Sequence, residues 1–479
     1  MKLPQQGMKR EDIVNALEGY RKNDLPWKTG RTFGYVYDPG HVAMEIGKEV
    51  YASFLTENAL DPTAFPSLAR IENEVVGMAR RQARGDDAVV GTFTSGGTES
   101  IILAVKAARE WAKANRPNIK QPELVLPATA HAAFHKAAYY LGVKTVVTRV
   151  DPHTFRADVD AMRDAINENT VMLVGSTPGY AHGVVDPVPE IAALAHKHGI
   201  LCHVDACVGG WLLPYFRRLG GDFPEYDFTV DGVTSMSMDL HKYAFTPKGA
   251  SVVLYRNADL RLHQIYACNE WTGYSVVNAA VQSSKSGGPM AAAWATMCAI
   301  GDDGYLEIAR QMKSCSEGIV AGIGKIPGLR VLGRPDFSMV AFTSADTNVF
   351  HVIDEMHQRG WYVQPQFRRQ GSPENIHLSI GPTNLKWVDA FLKDLTDAVR
   401  AARELPVSDL ATQMEQVFRE LEPSQVSDET IAQMMGMAGA TSDGDLPGRM
   451  AEVNQILNVM PPSVVERALR AFVNGMFKG

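Results

Sequence analysis

Two lysines, Lys242 and Lys248, lie in a stretch from Ser237 to Ser251 between two apolar runs that predict strands. Pro247 and Gly249 predict that this stretch is a stiff loop at the edge of a sheet. A lysine that acts as a nucleophile needs a rigid and partly dry setting, because desolvation lowers its pKa and frees the amine. Two ordinary surface lysines in a hairpin loop would give the same pattern, so the stretch alone fits both interpretations.

A segment with two adjacent glycines, from Thr94 to Ser100, follows a predicted strand at 88–93 and begins a predicted helix. Glycines let the backbone approach a ligand closely, and a helix N-terminus offers free N–H groups to an anion. A well-capped helix start is the alternative, with hydroxyl and carboxylate caps from Thr98 to Ser100. We favour a phosphate-binding segment, because a capping segment rarely needs two adjacent glycines.

Chemically active side chains follow two further predicted strands. His131 comes just after the strand at 123–126 and fits a helix cap, a core residue or a ring stacked on an aromatic group. His203, Asp205 and Cys207 share one face at the end of the strand at 200–205, since side chains alternate along a strand. Zinc or iron ligation lacks a second cluster for the remaining ligands. The other interpretations are a carboxylate hydrogen-bonded at the sheet edge and one that binds a heteroaromatic nitrogen.

The elements that position these residues alternate between strand and helix from about 87 to 255. Strands alternating with helices predict a mostly parallel α/β sheet with both faces covered, which binds ligands beyond the carboxyl ends of its strands. The candidate residues follow strands, as this architecture requires. Apolar runs predict strands at 88–93, 123–126, 143–149, 171–175, 200–205, 228–234 and 251–255, and helical patterns occur at 98–114, 131–141, 158–167 and 189–198.

Composition shifts divide the chain into four predicted parts. Residues 1–60 form an N-terminal arm and 61–310 a large domain, followed by a smaller α/β domain at 311–403 and a helical tail at 404–479. The tail contains a polar interruption from Thr441 to Pro447, which we expect to be a mobile linker.

The composition excludes several classes of protein. The 479 residues carry a net charge of -7 without a Lys/Arg-rich block, which argues against binding to nucleic acid. Five scattered cysteines without C-x-x-C spacing argue against a disulfide framework or a structural zinc site. No apolar run has the length of a membrane span or the character of a signal peptide. We therefore expect a cytoplasmic protein without a transmembrane segment or a metal.

A phosphate site, a stacking imidazole, a carboxylate and a rigid lysine together are what pyridoxal 5′-phosphate requires. The order and sequence of these segments resemble the sphingosine-1-phosphate lyase family over about residues 25–400. That family has the aspartate aminotransferase-like fold type I, a large domain plus a smaller C-terminal α/β domain, and is related to the group II amino-acid decarboxylases. The segments that carry the resemblance are Thr94 to Ser100, Ser176 to Pro178, His182 to Pro189, His203 to Cys207 and His241 to Gly249.

The resemblance implies roles for individual residues. Lys242 would form the Schiff base with pyridoxal phosphate, Asp205 would pair with the pyridine nitrogen, and His131 would stack on the ring. Gly97, Thr98 and His241 would hold the cofactor phosphate, whereas Tyr37 and Lys248 would bind a second phosphate that belongs to the substrate.

The resemblance also implies an activity. A phosphorylated sphingoid base would be cleaved by retro-aldol chemistry to phosphoethanolamine and a long-chain aldehyde, in a homodimer with active sites at the subunit interface. A group II amino-acid decarboxylase, which needs no second phosphate site, is the alternative, and a catalytically silent binding protein with the same fold is a third hypothesis.

The sequence departs from the family pattern at three points. Asp61 stands where eukaryotic members carry a histidine near the substrate phosphate, and a carboxylate there would repel the headgroup unless it points away. The crossing from Ser284 to Gly288 contains Lys285 where the family often has Ser-Arg-Pro-Gly, and the membrane anchor of eukaryotic members has no counterpart. These departures concern the substrate more than the cofactor.

Overall fold

The structure is a computed structural model that describes residues 2–406, 408–420, 422–437, 439 and 446–477. Residues 441–445 of the expected linker from Thr441 to Pro447 lie outside these ranges.

A large sheet forms the centre of the fold. Its strands are β1 (Val90–Thr94), β2 (Glu123–Pro127), β3 (Lys144–Thr148), β4 (Thr170–Ser176), β5 (Leu201–Asp205), β6 (Ser235–Met238) and β7 (Ser251–Tyr255). They lie in the order β1-β7-β6-β5-β4-β2-β3; β7 runs antiparallel to both of its neighbours, β1 and β6, and the other neighbouring pairs are parallel. The predicted mostly parallel α/β sheet is therefore confirmed.

Helices cover both faces of this sheet. Every residue of β2, β4, β5, β6 and β7 is buried, as expected for a sheet packed on two sides. Among the described helices, none combines the length and apolar composition needed to cross a membrane. The helices up to the end of the large sheet are α1 (Arg10–Tyr20), α2 (His41–Ser53), α3 (Pro66–Gln82), α4 (Gly97–Asn115), α5 (Ala133–Leu141), α6 (Val159–Ala165), α7 (Val188–Lys197), α8 (Leu213–Arg218) and α9 (Ala258–Leu262).

One predicted strand is wrong. Residues 228–234 form turns, and β6 begins only at Ser235. The Asp227 carboxylate accepts hydrogen bonds from the Thr229 N–H at 3.0 Å and from its hydroxyl at 2.8 Å, which closes an Asx turn. Gly232 then adopts a positive φ of 88°, which interrupts extended backbone. Local side-chain hydrogen bonds therefore outweigh the apolar pattern in this segment.

A smaller antiparallel sheet follows in the chain. Its strands, in the order β10-β11-β13-β12, are β10 (Leu329–Val331), β11 (Met339–Ser344), β12 (Gln364–Gln366) and β13 (Asn375–Ser379). The helices α11 (Val349–Gln358) and α12 (Val388–Arg403) pack with it, and Phe33 from the N-terminal segment inserts into the same core. The long helix α10 (Gly287–Ile323) connects the two sheets and breaks at Gly301.

Two smaller units complete the fold. A two-stranded hairpin, called the β8–β9 arm, consists of β8 (Tyr266–Cys268) and β9 (Val276–Asn278) and exposes aromatic side chains. The C-terminal helices are α13 (Asp409–Glu420), α14 (Asp428–Met437), α15 (Ala451–Val459) and α16 (Pro462–Met476), and they share an apolar core of their own. The Asp354 carboxylate of α11 accepts hydrogen bonds from the N–H groups of Met450 and Ala451 at 2.9 Å, which fastens α15 to the smaller sheet. The division of the chain into four domains stays a prediction.

Candidate active site

A cavity of about 370 Å³, called the Lys242 cavity, lies at the carboxyl edge of the large sheet. Segments that follow β1, β2, β4, β5 and β6 meet there, as parallel sheets require of their ligand sites. The structure brings all six predicted cofactor residues into its wall: Gly97, Thr98, His131, Asp205, His241 and Lys242.

The lysine loop, residues 239–250, connects the antiparallel strands β6 and β7. The His241 N–H donates a hydrogen bond to the Ala250 carbonyl at 3.0 Å, and the Ala250 N–H donates to His241 Nδ1 at 3.2 Å. Phe245 and Gly249 have positive φ values of 59° and 94°. The loop is cross-braced and tightly turned, so the predicted stiff loop is confirmed.

Asp239 holds the amine of Lys242. Lys242 Nζ lies 3.0 Å from Asp239 Oδ2, and Asp239 is 3% exposed. Burial is the largest single influence and acts to lower the pKa of Lys242, but the surrounding anionic groups, led by Asp239, together raise the pKa above the ordinary lysine value. Burial likewise acts to raise the pKa of Asp239, and the charges of Lys242 and His241 lower it instead.

Burial alone therefore does not set the pKa of Lys242 in this arrangement, because neighbouring charges oppose it. The sequence analysis missed Asp239, although this residue belongs to the same stretch and precedes Lys242 by three positions. A carboxylate at this spacing in a tight loop was the available signal.

The start of α4 carries no side-chain cap. Gly96 precedes the helix without a capping hydrogen bond, so the first N–H groups of α4 are open to an anion. A Cβ atom at Gly97 would lie 2.7 Å from an Asp239 oxygen and 2.8 Å from Cys207 Sγ, which restricts this position to glycine. The capping alternative is therefore not confirmed: the Glu99 carboxylate accepts hydrogen bonds from the Ser95 N–H at 2.6 Å and from the Val281 N–H at 2.7 Å, both outside α4.

His131 and Tyr180 form one wall of the Lys242 cavity. His131 Nδ1 accepts a hydrogen bond from the Ala133 N–H at 3.1 Å, which fixes the ring at the start of α5. The Tyr180 ring stands perpendicular to His131 with centroids 6.5 Å apart. The Tyr180 hydroxyl donates to Gln364 Oε1 at 2.7 Å, and burial raises its pKa. Tyr180 was not predicted, although it follows β4 as the other site residues follow their strands.

Asp205 ends β5 and is 7% exposed. Its Oδ1 accepts hydrogen bonds from the Cys207 N–H at 3.1 Å and from the Ser237 hydroxyl at 3.4 Å. His203 lies in the core, between the hydroxyls of Ser235 and Ser237. In the described part of the chain no three His, Cys, Asp or Glu side chains form a group that could hold a metal ion.

Tyr37 and Lys248 meet beside the Lys242 cavity. Lys248 Nζ lies 4.7 Å from the centroid of the Tyr37 ring, a cation–π contact, and the Tyr37 ring packs edge-on against Tyr243 at 4.8 Å. Lys248 keeps part of its side chain in solvent, yet desolvation by the surrounding protein and the nearby Lys242 charge lower its pKa to about 8. Burial raises the pKa of Tyr37 to about 12.

The departures from the family pattern also have structural explanations. Asp61 Oδ1 accepts hydrogen bonds from the Thr63 N–H at 2.8 Å and the Thr63 hydroxyl at 2.6 Å, so this carboxylate is engaged in its own turn. These bonds lower the pKa of Asp61. Lys285 pairs with the two carboxylate oxygens of Glu72 at 2.7 and 2.6 Å and serves to fix the crossing segment.

Comparison with known proteins defines the class. Residues 27–344 match the family model described as the pyridoxal-dependent decarboxylase conserved domain, and residues 412–475 match a pyridoxal-dependent enzyme, C-terminal putative HTH domain. The fold and the site are accordingly those of a pyridoxal-phosphate-dependent enzyme of fold type I.

Individual relatives narrow this class to one family. A sphingosine-1-phosphate lyase of Arabidopsis thaliana is 39% identical over 414 residues, which is 84% of this chain and 74% of that protein. One from Dictyostelium discoideum is 37% identical over 403 residues, 84% of this chain and 75% of that protein. A solved structure of the Burkholderia pseudomallei sphingosine-1-phosphate lyase superposes with a TM-score of 0.81 at 36% identity, covering 88% of this chain and 96% of that one. The chain belongs to the sphingosine-1-phosphate lyase family.

The residues present fit pyridoxal 5′-phosphate, the cofactor of this family. The open N-terminus of α4 suits a phosphate group, and the Asp205 carboxylate suits a pyridinium nitrogen. Two buried polar atoms of the cavity residues, Ser176 Oγ and Asp239 Oδ1, lack a hydrogen-bond partner within the described residues, as expected where a polar ligand belongs.

Proposed function

We propose that this protein cleaves phosphorylated sphingoid bases, such as sphingosine 1-phosphate, to phosphoethanolamine and a long-chain aldehyde. The observation that carries the proposal is the pair of Lys248 and Tyr37 beside the Lys242 cavity. A cation and a phenol at this place suit a phosphate group that belongs to the substrate. An amino-acid decarboxylase has no use for a second phosphate site.

The proposal assigns a role to each predicted residue. The N–H groups at the start of α4 bind the cofactor phosphate together with His241, Asp205 holds the pyridine nitrogen charged, and His131 stacks on the ring. Lys242 carries the cofactor covalently, and pyridoxal phosphate supplies the electron sink that makes cleavage of a carbon–carbon bond feasible. The residues assigned to bind the cofactor phosphate are Gly97, Thr98 and His241.

The chain's own residues then govern protons and orientation. Asp239 holds the Lys242 amine in a fixed place when the amine is charged. The Tyr180 phenol donates its one proton to Gln364 Oε1, so its oxygen can accept a hydrogen bond from the substrate's hydroxyl group. Gln364, a residue of β12 in the smaller sheet, orients this phenol through its side-chain oxygen Oε1.

The proposal includes a homodimer in the cytoplasm, with active sites at the subunit interface. The β8–β9 arm supports the proposed interface. Its aromatic residues Tyr266, Trp271 and Tyr274 expose half or more of their surface in the single chain, and exposed apolar side chains of this kind mark contact surfaces. The five cysteines are free thiols, which suits a reducing compartment.

The test is to incubate the purified protein with phosphorylated and with unphosphorylated sphingosine and to measure aldehyde release. We expect aldehyde from the phosphorylated substrate only. Release of carbon dioxide from an amino acid, with no aldehyde, would establish the decarboxylase instead. A protein that binds no cofactor and yields neither product would be the catalytically silent alternative.

A further inference from the structure

A second cavity of about 340 Å³, called the adjoining cavity, lies next to the Lys242 cavity. His131 and Tyr180 line both cavities, so these two side chains form the boundary between them. Its inner wall comes from segments that follow β2, β3 and β4, the same carboxyl edge of the sheet that binds ligands in α/β folds. Its volume lies in the range of ~300–1,000 Å³ found for small-molecule sites.

The wall of the adjoining cavity is predominantly apolar. Ala130, Val150 and Phe367 contribute apolar side chains, and polar side chains such as His182 and Arg369 also belong to the wall, although most of the atoms exposed to the cavity are apolar. The outer wall is a segment of the smaller sheet, residues 366–372, called the outer-wall loop. The adjoining cavity suits a hydrocarbon chain, because burial of each methylene group contributes about 0.8 kcal/mol to the binding free energy.

The C-terminal helices hold the outer-wall loop in place. The Arg369 guanidinium donates hydrogen bonds to the carbonyls of Leu457 and Asn458, both at 2.8 Å, near the C-terminal end of α15. These carbonyls have no partner within their own helix, and a cation there also complements the helix dipole. The Arg368 N–H donates to Asn458 Oδ1 at 2.6 Å, which makes a second attachment.

The charge of the C-terminal helices fits this supporting role better than contact with nucleic acid. Residues 408–479 contain ten acidic and five basic residues, whereas binding to a phosphate backbone needs a basic surface. Arg467, one of the basic residues, is bonded to Asp428 and to the Val426 carbonyl within the helical unit itself.

We propose that the adjoining cavity is the subsite for the hydrocarbon chain of the substrate, and that the C-terminal helices fix its outer wall through Arg369. The proposal rests on the proposed function, which sets the phosphate at Lys248 and the reacting carbons at Lys242. The remaining part of such a substrate is an alkyl chain, and the adjoining cavity is the space that shares His131 and Tyr180 with the Lys242 cavity. Chain-length preference is then set by the outer-wall loop.

The first test measures binding without turnover. Isothermal titration calorimetry with alkyl phosphates of increasing length should show affinity that rises with chain length in the unaltered protein. Ala132→Phe fills the adjoining cavity from an exposed position, so the fold should tolerate it. We expect this variant to bind the longer alkyl phosphates about tenfold more weakly than the unaltered protein does, because burial of roughly two methylenes is lost. Affinity that is independent of chain length, or unchanged in Ala132→Phe, would overturn the subsite.

The second test concerns the C-terminal helices. Arg369→Gln should raise KM for a long-chain phosphorylated sphingoid base several-fold more than KM for a short-chain analogue, because the wall loosens around the distal chain. Arg467→Gln is the matched control, since it removes an arginine that bonds within the C-terminal helices and does not contact the outer-wall loop. Equal effects of the two variants on both substrates would overturn the role of Arg369.

The two proposals fail separately. Aldehyde release without any chain-length dependence would leave the lyase activity standing and remove the subsite. Chain-length-dependent binding that Ala132→Phe abolishes, without aldehyde from any substrate, would leave the subsite standing and remove the lyase activity.

Discussion

Lys242 and Lys248 lie six positions apart in one loop, and the protein treats their charges in opposite ways. Lys242 lies 3.0 Å from a buried carboxylate that raises its pKa, whereas the pKa of Lys248 falls to about 8. Among the described residues no carboxylate lies within ion-pair distance of Lys248, whose close neighbour is the ring of Tyr37.

The difference shows how one loop separates two tasks. A single carboxylate, Asp239, decides which lysine has its charge balanced within the protein. Lys242 is held in place for covalent chemistry, and Lys248 keeps its charge for an external anion. The following predictions would break or sharpen this contrast, from the largest effect to the smallest.

Lys242→Ala should abolish activity, by about a thousandfold or more, since the residue is the covalent attachment for the cofactor. The visible absorbance band of the lysine-bound cofactor should disappear from the purified protein as well. Lys248→Ala is the matched control and should keep the band. A band that survives in Lys242→Ala would reverse the assignment of the two lysines.

Lys248→Ala should lower kcat/KM for phosphorylated sphingosine by roughly 10- to 100-fold, the loss of one hydrogen bond to a charged group. Bound cofactor, measured by its absorbance, should stay at the level of the unaltered protein. Lys136→Ala removes a lysine that stacks on the exposed Tyr140 and serves as the control. Loss of cofactor in Lys248→Ala would show that this residue belongs to the cofactor site instead.

Asp239→Asn should shift the pH at which cofactor-free protein captures pyridoxal phosphate. The carboxylate raises the pKa of Lys242, so its removal leaves desolvation dominant and the neutral amine forms at lower pH. We expect a shift on the order of one pH unit towards acid, followed by absorbance during reconstitution. Asp61→Asn removes an exposed carboxylate and should not move the profile; an unmoved profile in Asp239→Asn would remove Asp239 from this role.

The smallest effect is a pH dependence of substrate binding in the unaltered protein. The pKa of Lys248 is about 8, so the lysine is charged below that pH and neutral above it. KM for the phosphorylated substrate should therefore rise from pH 7 to pH 9, by about tenfold at most. Lys248→Arg keeps its charge throughout and should flatten the profile. A rise that persists in Lys248→Arg would assign the titration to another group.

Much of this site was predictable because its residues follow strands, and strands leave a local pattern. Lys242, Asp205 and His131 each come directly after an apolar run, and topology alone brings such positions to one edge. Segment 228–234 was misassigned because its turn depends on a side-chain hydrogen bond of Asp227, which hydrophobicity does not register.

Other parts depend on contacts between distant positions, which a single sequence does not encode visibly. Tyr180 receives its orientation from Gln364, and the outer-wall loop is held by carbonyls of α15 some ninety residues later. The raised pKa of Lys242 was also out of reach, because burial lowers it while several nearby anionic groups raise it, and their distances from the amine depend on the folded loop.

Glu99 links the β8–β9 arm to the cofactor site. Its carboxylate joins the Ser95 N–H, at the entry to α4, to the Val281 N–H, just after β9. Displacement of the β8–β9 arm would remove the Val281 N–H from one oxygen of this nearly buried carboxylate, at the phosphate end of the site. Cofactor binding and docking of the β8–β9 arm should therefore be thermodynamically coupled. Cofactor should favour the docked arm by the same factor by which the docked arm raises the affinity for cofactor.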